Sequence, residues 1–136
     1  MYYNLTLLPL LFLATICDIR HRLIPNQLIF IGSFIALVLI AQEGITHLTH
    51  SLMTVLIVWL IGFTLFKRAW CGAGDIKLLM MVSLFFSRTD FFLVVLYSLI
   101  MGGVISLWYQ YQRPRRGVPY ALPITLGVIL MMLNNA

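Results

Sequence analysis

At 136 residues the chain is one domain's worth, yet 62% of it is hydrophobic and 10% charged, where soluble proteins carry about 45–50% and about 25%. That balance excludes a water-soluble globule, and it excludes intrinsic disorder, which needs low hydrophobicity and high charge. Nine Lys and Arg against four Asp and Glu give a net charge of +5, but the basic residues sit in short clusters between apolar runs, the pattern of a membrane protein and not of a nucleic-acid binder.

A helix crossing about 30 Å of hydrocarbon needs about 20 mostly apolar residues, so the chain has room for at most six spans. Six apolar runs are present, at approximately 3–17, 27–41, 51–66, 76–86, 91–109 and 118–133. No positive charge precedes the first run and no small-x-small site follows it, so it reads as a retained span and not as a cleaved signal. Arg20 and Arg22 follow run one, Lys67, Arg68 and Lys77 flank the gap between runs three and four, and Arg113, Arg115 and Arg116 lie between runs five and six. Basic connectors mark the cytoplasmic side. The connectors holding Glu43, His47 and His50, and Arg88 with Asp90, then face outward, where these charges read as solvated loop residues. The expected fold is all-α, a single membrane-embedded domain over 1–136 with six transmembrane helices and both termini outside.

The fourth run is short, since eleven residues make about 16 Å. Fusing it with the fifth would place Arg88 and Asp90 in lipid, at a cost of several kcal/mol. A short fourth span is therefore expected, with the 71–75 connector dipping below the inner surface, as membranes tolerate only where protein or a wet cavity covers the backbone.

Two of the four carboxylates, Asp18 and Asp75, lie where apolar helix meets basic inner connector. A carboxylate so close to hydrocarbon is costly and marks a candidate site. Around the second the chain reads Cys71-Gly72-Ala73-Gly74-Asp75-Ile76-Lys77-Leu78. Its glycines allow φ > 0 and close approach of another chain, and Asp75 falls at the start of the fourth helix, where the dipole favours an anion. The plainer reading is an N-cap after a glycine turn. Around the first the chain reads Cys17-Asp18-Ile19-Arg20-His21-Arg22-Leu23-Ile24-Pro25-Asn26. Pro25 forces Ile24 extended, Asn26 is a good N-cap for the second helix, and Asp18 is left at a helix C-terminus. There an ion pair with Arg20 or Arg22 is the plainer reading. Two carboxylates in one poorly solvated pocket cannot both ionise cheaply, and a pair sharing a proton is the working unit of aspartic proteases. On the dipole argument Asp75 is the more readily ionised member and Asp18 the better holder of the proton.

Asp18 with Ile24-Pro25-Asn26, and Gly72-Ala73-Gly74-Asp75 with Lys77-Leu78, together resemble the two signature stretches of the type IV prepilin peptidases, bacterial membrane aspartic proteases of the G-x-G-D class. Residues 116–123 are similar to a Pro-aromatic-Gly stretch near that family's C-terminus, although Ala121 stands where glycine is common, and no role is carried over there. The likeness spans nearly the whole chain, and its compact form is most similar to the peptidases of tight-adherence (Flp) pilus systems. It implies an endopeptidase of the bacterial inner membrane that removes the basic leader of pilin-like precursors at the cytoplasmic face, with Asp18 and Asp75 catalytic. Gly72, Gly74 and Lys77 would belong to the active-site loop, with no cofactor and no metal. Many members carry an N-terminal portion with paired C-x-x-C zinc ligands and methylate the new N-terminus. The first apolar run here begins at Tyr3, so neither zinc nor methyl transfer is expected.

Lys77 reads either as a group that steers an acidic substrate or tunes the pocket, or as a lysine snorkelling from the inner boundary. Cys17, His21 and Cys71 match no metal-ligand spacing. Trp108, Tyr109 and Tyr111, with Tyr2 and Tyr3 opposite, read as interfacial belts. The competing function is a small ion- or proton-coupled transporter, whose acids would lie at the midplane of broken helices. A non-catalytic assembly subunit is a third.

Overall fold

Six helices form around the six apolar runs: α1 Tyr3–His21, α2 Asn26–Glu43, α3 Ile45–Lys67, α4 Ala73–Phe85, α5 Arg88–Gln112 and α6 Ala121–Asn134. This computed structural model describes residues 3–68, 72–112 and 119–134. Met1, Tyr2, Cys71, the Arg113–Arg115–Arg116 cluster, Gly117, Val118 and Ala136 lie outside the described residues.

The helix ends follow from local chemistry. α1 stops where Arg22 turns to φ 53 and its N–H bonds Asp18 O at 2.9 Å, a left-handed cap that satisfies one open carbonyl of the last turn. Leu23 to Pro25 then run between helices, and Pro25 itself, at φ −61 and ψ 128, precedes α2. Asn26 is thus the first helical residue and not the N-cap that the sequence suggests. α2 and α3 are separated by Gly44 alone, at φ 114 and ψ 166, a conformation open essentially to glycine. His47 and His50 therefore lie in the first turns of α3, not in a loop. His47 Nδ1 faces Glu43 Oε2 at 3.9 Å across the break. Ahead of α5, Ser87 Oγ accepts the Asp90 N–H at 3.3 Å and donates to Asp90 Oδ2 at 2.8 Å. Asp90 is a capping partner in the first turn of α5 instead of a free loop charge.

α4 packs against each of the other five helices, with Leu78, Met81, Val82, Ser83 and Leu84 all buried. The shortest helix is thus the one enclosed by its neighbours. The other helices turn large apolar side chains outward, among them Phe12, Ile16, Phe30, Phe34, Trp59, Phe92 and Leu99. On α3, Trp59 stacks on Phe63 at 5.6 Å and Lys67 Nζ sits 4.6 Å above the Phe63 ring. An apolar surface this extensive suits hydrocarbon and not water. By length and composition three helices can cross a membrane: α2, α3 and the 88–111 portion of α5. α4 and α6, with 13 and 14 residues, rise only about 20 Å each.

The inward stripes of the helices decide what lies at the ends of the bundle. On α1, Leu7, Leu11 and Ala14 are completely buried and Asp18 is 8% exposed. The spacing of four, three and four puts all of them on one face, so the acid is the last member of the core stripe. On α4, Asp75 precedes buried Leu78 and Val82 at the same kind of spacing. On α6 the stripe is Ala121, Ile124, Thr125, Val128 and Met131.

Candidate active site

One end of the bundle carries a cavity of about 1060 Å³. Its walls are the C-terminal turn of α1 with the following loop, the first turn of α4, Tyr109 near the end of α5, and Pro119 and Tyr120 ahead of α6. Asp18, Gly72, Gly74, Asp75 and Lys77, singled out from separate stretches of sequence, all line it, as do Arg20 and His21. The opposite end of the bundle holds a smaller cavity of about 270 Å³ with Glu43, His47 and Ser87 on its wall. Among the described residues, Arg20, Arg22 and Lys77 thus lie at one end and Glu43 and His47 at the other.

Asp75 occupies the third position of α4, with extended Gly72, at φ −74 and ψ 148, as the residue before the helix. The Gly72 backbone hydrogen-bonds its carboxylate, the reaching-back half of a capping box. The N-cap reading and the cavity reading of this acid thus hold together. Neither Gly72 nor Gly74 has positive φ; among the described residues Gly44 is the only glycine that does. The expected left-handed glycine turn is absent because α4 begins at Ala73, three residues ahead of the apolar run. What Gly72 provides is room, since a Cβ there would meet Asp75 Oδ2 at 3.0 Å. At Gly74 a Cβ would first meet Ile24, at an ordinary 3.7 Å.

The Asp75 carboxyl stands ahead of the apolar run 76–86, and its pKa is pushed up to about 6, first by burial and second by the charge of Asp18, with the Gly72 hydrogen bond pulling the other way. The helix dipole had suggested the opposite, a readily ionised Asp75. Removal from water and a neighbouring anion outweigh one backbone donor.

Asp18 has a partner that sequence reasoning missed. Its Oδ2 accepts the backbone N–H of Ala121 at 3.1 Å, an amide at the start of α6 where the free N–H groups and the positive dipole end suit an anion. The signal was present in the spacing Ala121, Ile124, Thr125, Val128, which puts Ala121 on the buried face, but nothing local says which acid it meets. Asn26, freed from capping, accepts Lys77 Nζ on its Oδ1 at 3.0 Å. That bond ties the start of α2 to the N-terminal part of α4. Tyr109 lines the cavity while Trp108 and Tyr111 are exposed. Among the described residues no three His, Cys, Asp or Glu side chains converge as a metal site would require.

A helical bundle with a lipid-suited surface that gathers two acids into one cavity at its end fits an integral membrane protein. The chain belongs to the type IV leader peptidase family, which matches residues 5–107. It is therefore a peptidase of the prepilin type. No curated protein and no solved structure matches it. The family match includes both acids and ends before α6, so Ala121 lies beyond it.

Proposed function

We propose that this peptidase is an aspartic endopeptidase that cleaves the basic leader from type IV pilin-like precursors, with Asp18 and Asp75 as its catalytic pair. The observation that carries the reading is the shared cavity: two acids 57 positions apart line one opening, and Asp75 responds to the charge of Asp18. A water between them attacks the scissile carbonyl carbon. Asp18, served by the Ala121 amide, takes a proton from that water while Asp75 gives its own to the carbonyl oxygen. On collapse of the tetrahedral diol the C–N bond breaks, the leaving amine takes the proton held by Asp18, and Asp75 recovers its own from a diol hydroxyl. Gly72 leaves space beside Asp75 for the extended substrate backbone, and Gly74 and Lys77 complete the loop. No cofactor takes part.

In this reading one domain crosses the bacterial inner membrane, its six helices placing both termini outside and the cavity at the cytoplasmic face. The clustering of Arg20, Arg22, Lys67, Arg68 and Lys77 supports that orientation. After Ser98, no described residue of α5 is buried, so the half of α5 leading to Tyr109 stands partly free of the bundle and leaves a lateral approach for the precursor's apolar helix. Its leader stays in the cytoplasm.

The transporter alternative needs acids at mid-bundle. Asp18 lies in the last turn of α1 and Asp75 in the first turn of α4, which favours cleavage at the membrane surface. Co-expression with a pilin-like precursor, followed by gel mobility, tests the proposal. The wild-type chain should release the leader, and Asp18→Asn and Asp75→Asn should each abolish release. Cleavage surviving either substitution would overturn the two-carboxylate mechanism.

A further inference from the structure

One turn deeper than the Asp18–Ala121 contact, the same two helices are joined again. Thr15 Oγ1 and Thr125 Oγ1 lie 2.7 Å apart, linking residues separated by 110 positions. Thr125 Oγ1 also reaches Ala121 O at 2.8 Å, and Thr15 Oγ1 reaches Leu11 O at 2.8 Å and Ala121 O at 3.5 Å. Whichever hydroxyl donates across the gap, the chain of bonds ends on a helix carbonyl, Ala121 O in one direction and Leu11 O in the other. The Ala121 N–H goes to Asp18, and when Thr15 donates to Thr125 the Ala121 C=O takes the Thr125 hydroxyl as well.

The spacing makes the two rungs act as one unit. Thr15 precedes Asp18 by three residues and Thr125 follows Ala121 by four, so each pair repeats on the same face of its helix. A rotation or slide of α6 against α1 that broke the threonine rung would carry the Ala121 amide away from Asp18. Asp18 needs such support, because the chain leaves the helix only four residues later, at left-handed Arg22, and helix ends fray. We propose that Thr15 and Thr125 are positioning residues for Asp18, clipping α1 to α6 so that the Ala121 amide stays aimed at the carboxylate. The inference rests on the catalytic role given to Asp18 above. Both threonines lie outside the stretches that carry the family resemblance, and Thr125 lies beyond the family match.

Interhelical hydroxyl bonds in a bilayer contribute modestly to stability, so the expected signature is kinetic. Thr15→Val and Thr125→Val keep the side-chain shape and remove the bond. With the full chain in vesicles and a precursor as substrate, each should lower kcat about tenfold, the worth of one well-placed hydrogen bond, with KM within about twofold. The double variant should be no worse than either single, since both remove one interaction. Thr15→Ser, which keeps the hydroxyl, should restore most of the rate, and amide exchange at Ala121 should quicken in the valine variants while the melting temperature holds. Should a valine variant fail to fold, Thr15→Ala takes its place with the same expectation. Wild-type kcat without the hydroxyl, additive losses, or losses that serine does not rescue would each overturn the clip. Asp18→Asn runs alongside. If it still cleaves, the catalytic reading itself fails; if it is dead while the valine variants match wild type, only the clip does.

Discussion

The Ala121 N–H donates to Asp18 Oδ2 across 103 positions of sequence, which joins the first helix of the chain to the last at the cavity. Asp75 meets a backbone donor at Gly72, ahead of its own helix. Both acids are therefore set at helix N-termini, one belonging to its own helix and one borrowed from α6. The difference between them lies in what else each faces, and for Asp75 burial and the charge of Asp18 dominate.

This environment makes stability depend on pH in a definite direction. In the unfolded chain Asp75 loses its proton near pH 4, whereas in the folded protein it keeps it up to about 6. Between those values the folded state binds the extra proton, so Asp75's contribution to stability falls as pH rises through the window and levels off above it. Asp75→Asn removes the titration while keeping the shape. The melting temperature of wild type minus that of the variant, in detergent, should be lower at pH 7.5 than at pH 4.5. A pH-independent difference would show that Asp75 titrates as an ordinary carboxylate.

Much of this arrangement was legible in the sequence because a membrane protein spends its few charges deliberately. With only four carboxylates in the chain, each could be weighed by its place, and the junction of apolar run with basic connector singled out Asp18 and Asp75 and put both at one end. The stripe Leu7, Leu11, Ala14, Asp18 also shows that the first acid faces the core. What could not be read was tertiary. Asn26 has the side chain of an N-cap, but Lys77 competes for it. Gly72 and Gly74 suggest a left-handed turn, but the helix starts early enough to include Gly74. Ala121 has no polar side chain, so its role, carried by the backbone, leaves no residue-type signal.

The Asn26–Lys77 bond is exposed, and an exposed side-chain hydrogen bond contributes about 0.5–1 kcal/mol or less. Asn26→Ala should therefore leave the melting temperature nearly unchanged. Its effect should fall on the reaction, because Lys77 is two residues from Asp75 and loses its tether. Asn26→Ala and Lys77→Met should each lower cleavage less than tenfold, and the double variant should match the single ones, as expected for a shared contact. Multiplying losses in steady-state kinetics would mean that the two side chains act independently.

Helix packing predicts a ranking among glycines. A Cβ on Gly127 would collide with Ser98 Oγ and would lie 2.8 Å from Ser98 N and 2.9 Å from Val94 O, backbone atoms that cannot step aside. On Gly32 the collision is with Met81 Sδ, the end of a flexible side chain that can adjust. On Gly103 nothing lies within 4 Å. Gly127→Ala should cost about 1–3 kcal/mol as an overpacking change, Gly32→Ala less, and Gly103→Ala should be neutral or stabilising by up to about 1 kcal/mol through helix propensity. Thermal melts of the three variants give the order directly, and Gly127→Ala as stable as wild type would contradict the close α5–α6 contact.

Replacing Ala121 by proline removes the amide that serves Asp18 and adds a ring at a fully buried position. Ala121 is the first residue of α6, where proline's fixed φ fits a helix and its missing N–H breaks no intrahelical bond. Tyr120 takes the N-cap place, since its carbonyl accepts the Ile124 N–H at 3.3 Å. N-caps adopt the extended geometry that a following proline also demands. Ala121→Pro should therefore keep the start of α6, with a melting temperature lowered by the ring packed into a closed site, and its kcat should fall tenfold or more, because a donor to a charged acceptor contributes roughly twice what a neutral bond does. Ala121→Gly keeps the N–H and should stay within about threefold of wild type. A proline variant that folds and cleaves at the wild-type rate would show that Asp18 works without α6, and that the contact joining the first and last helices serves architecture alone.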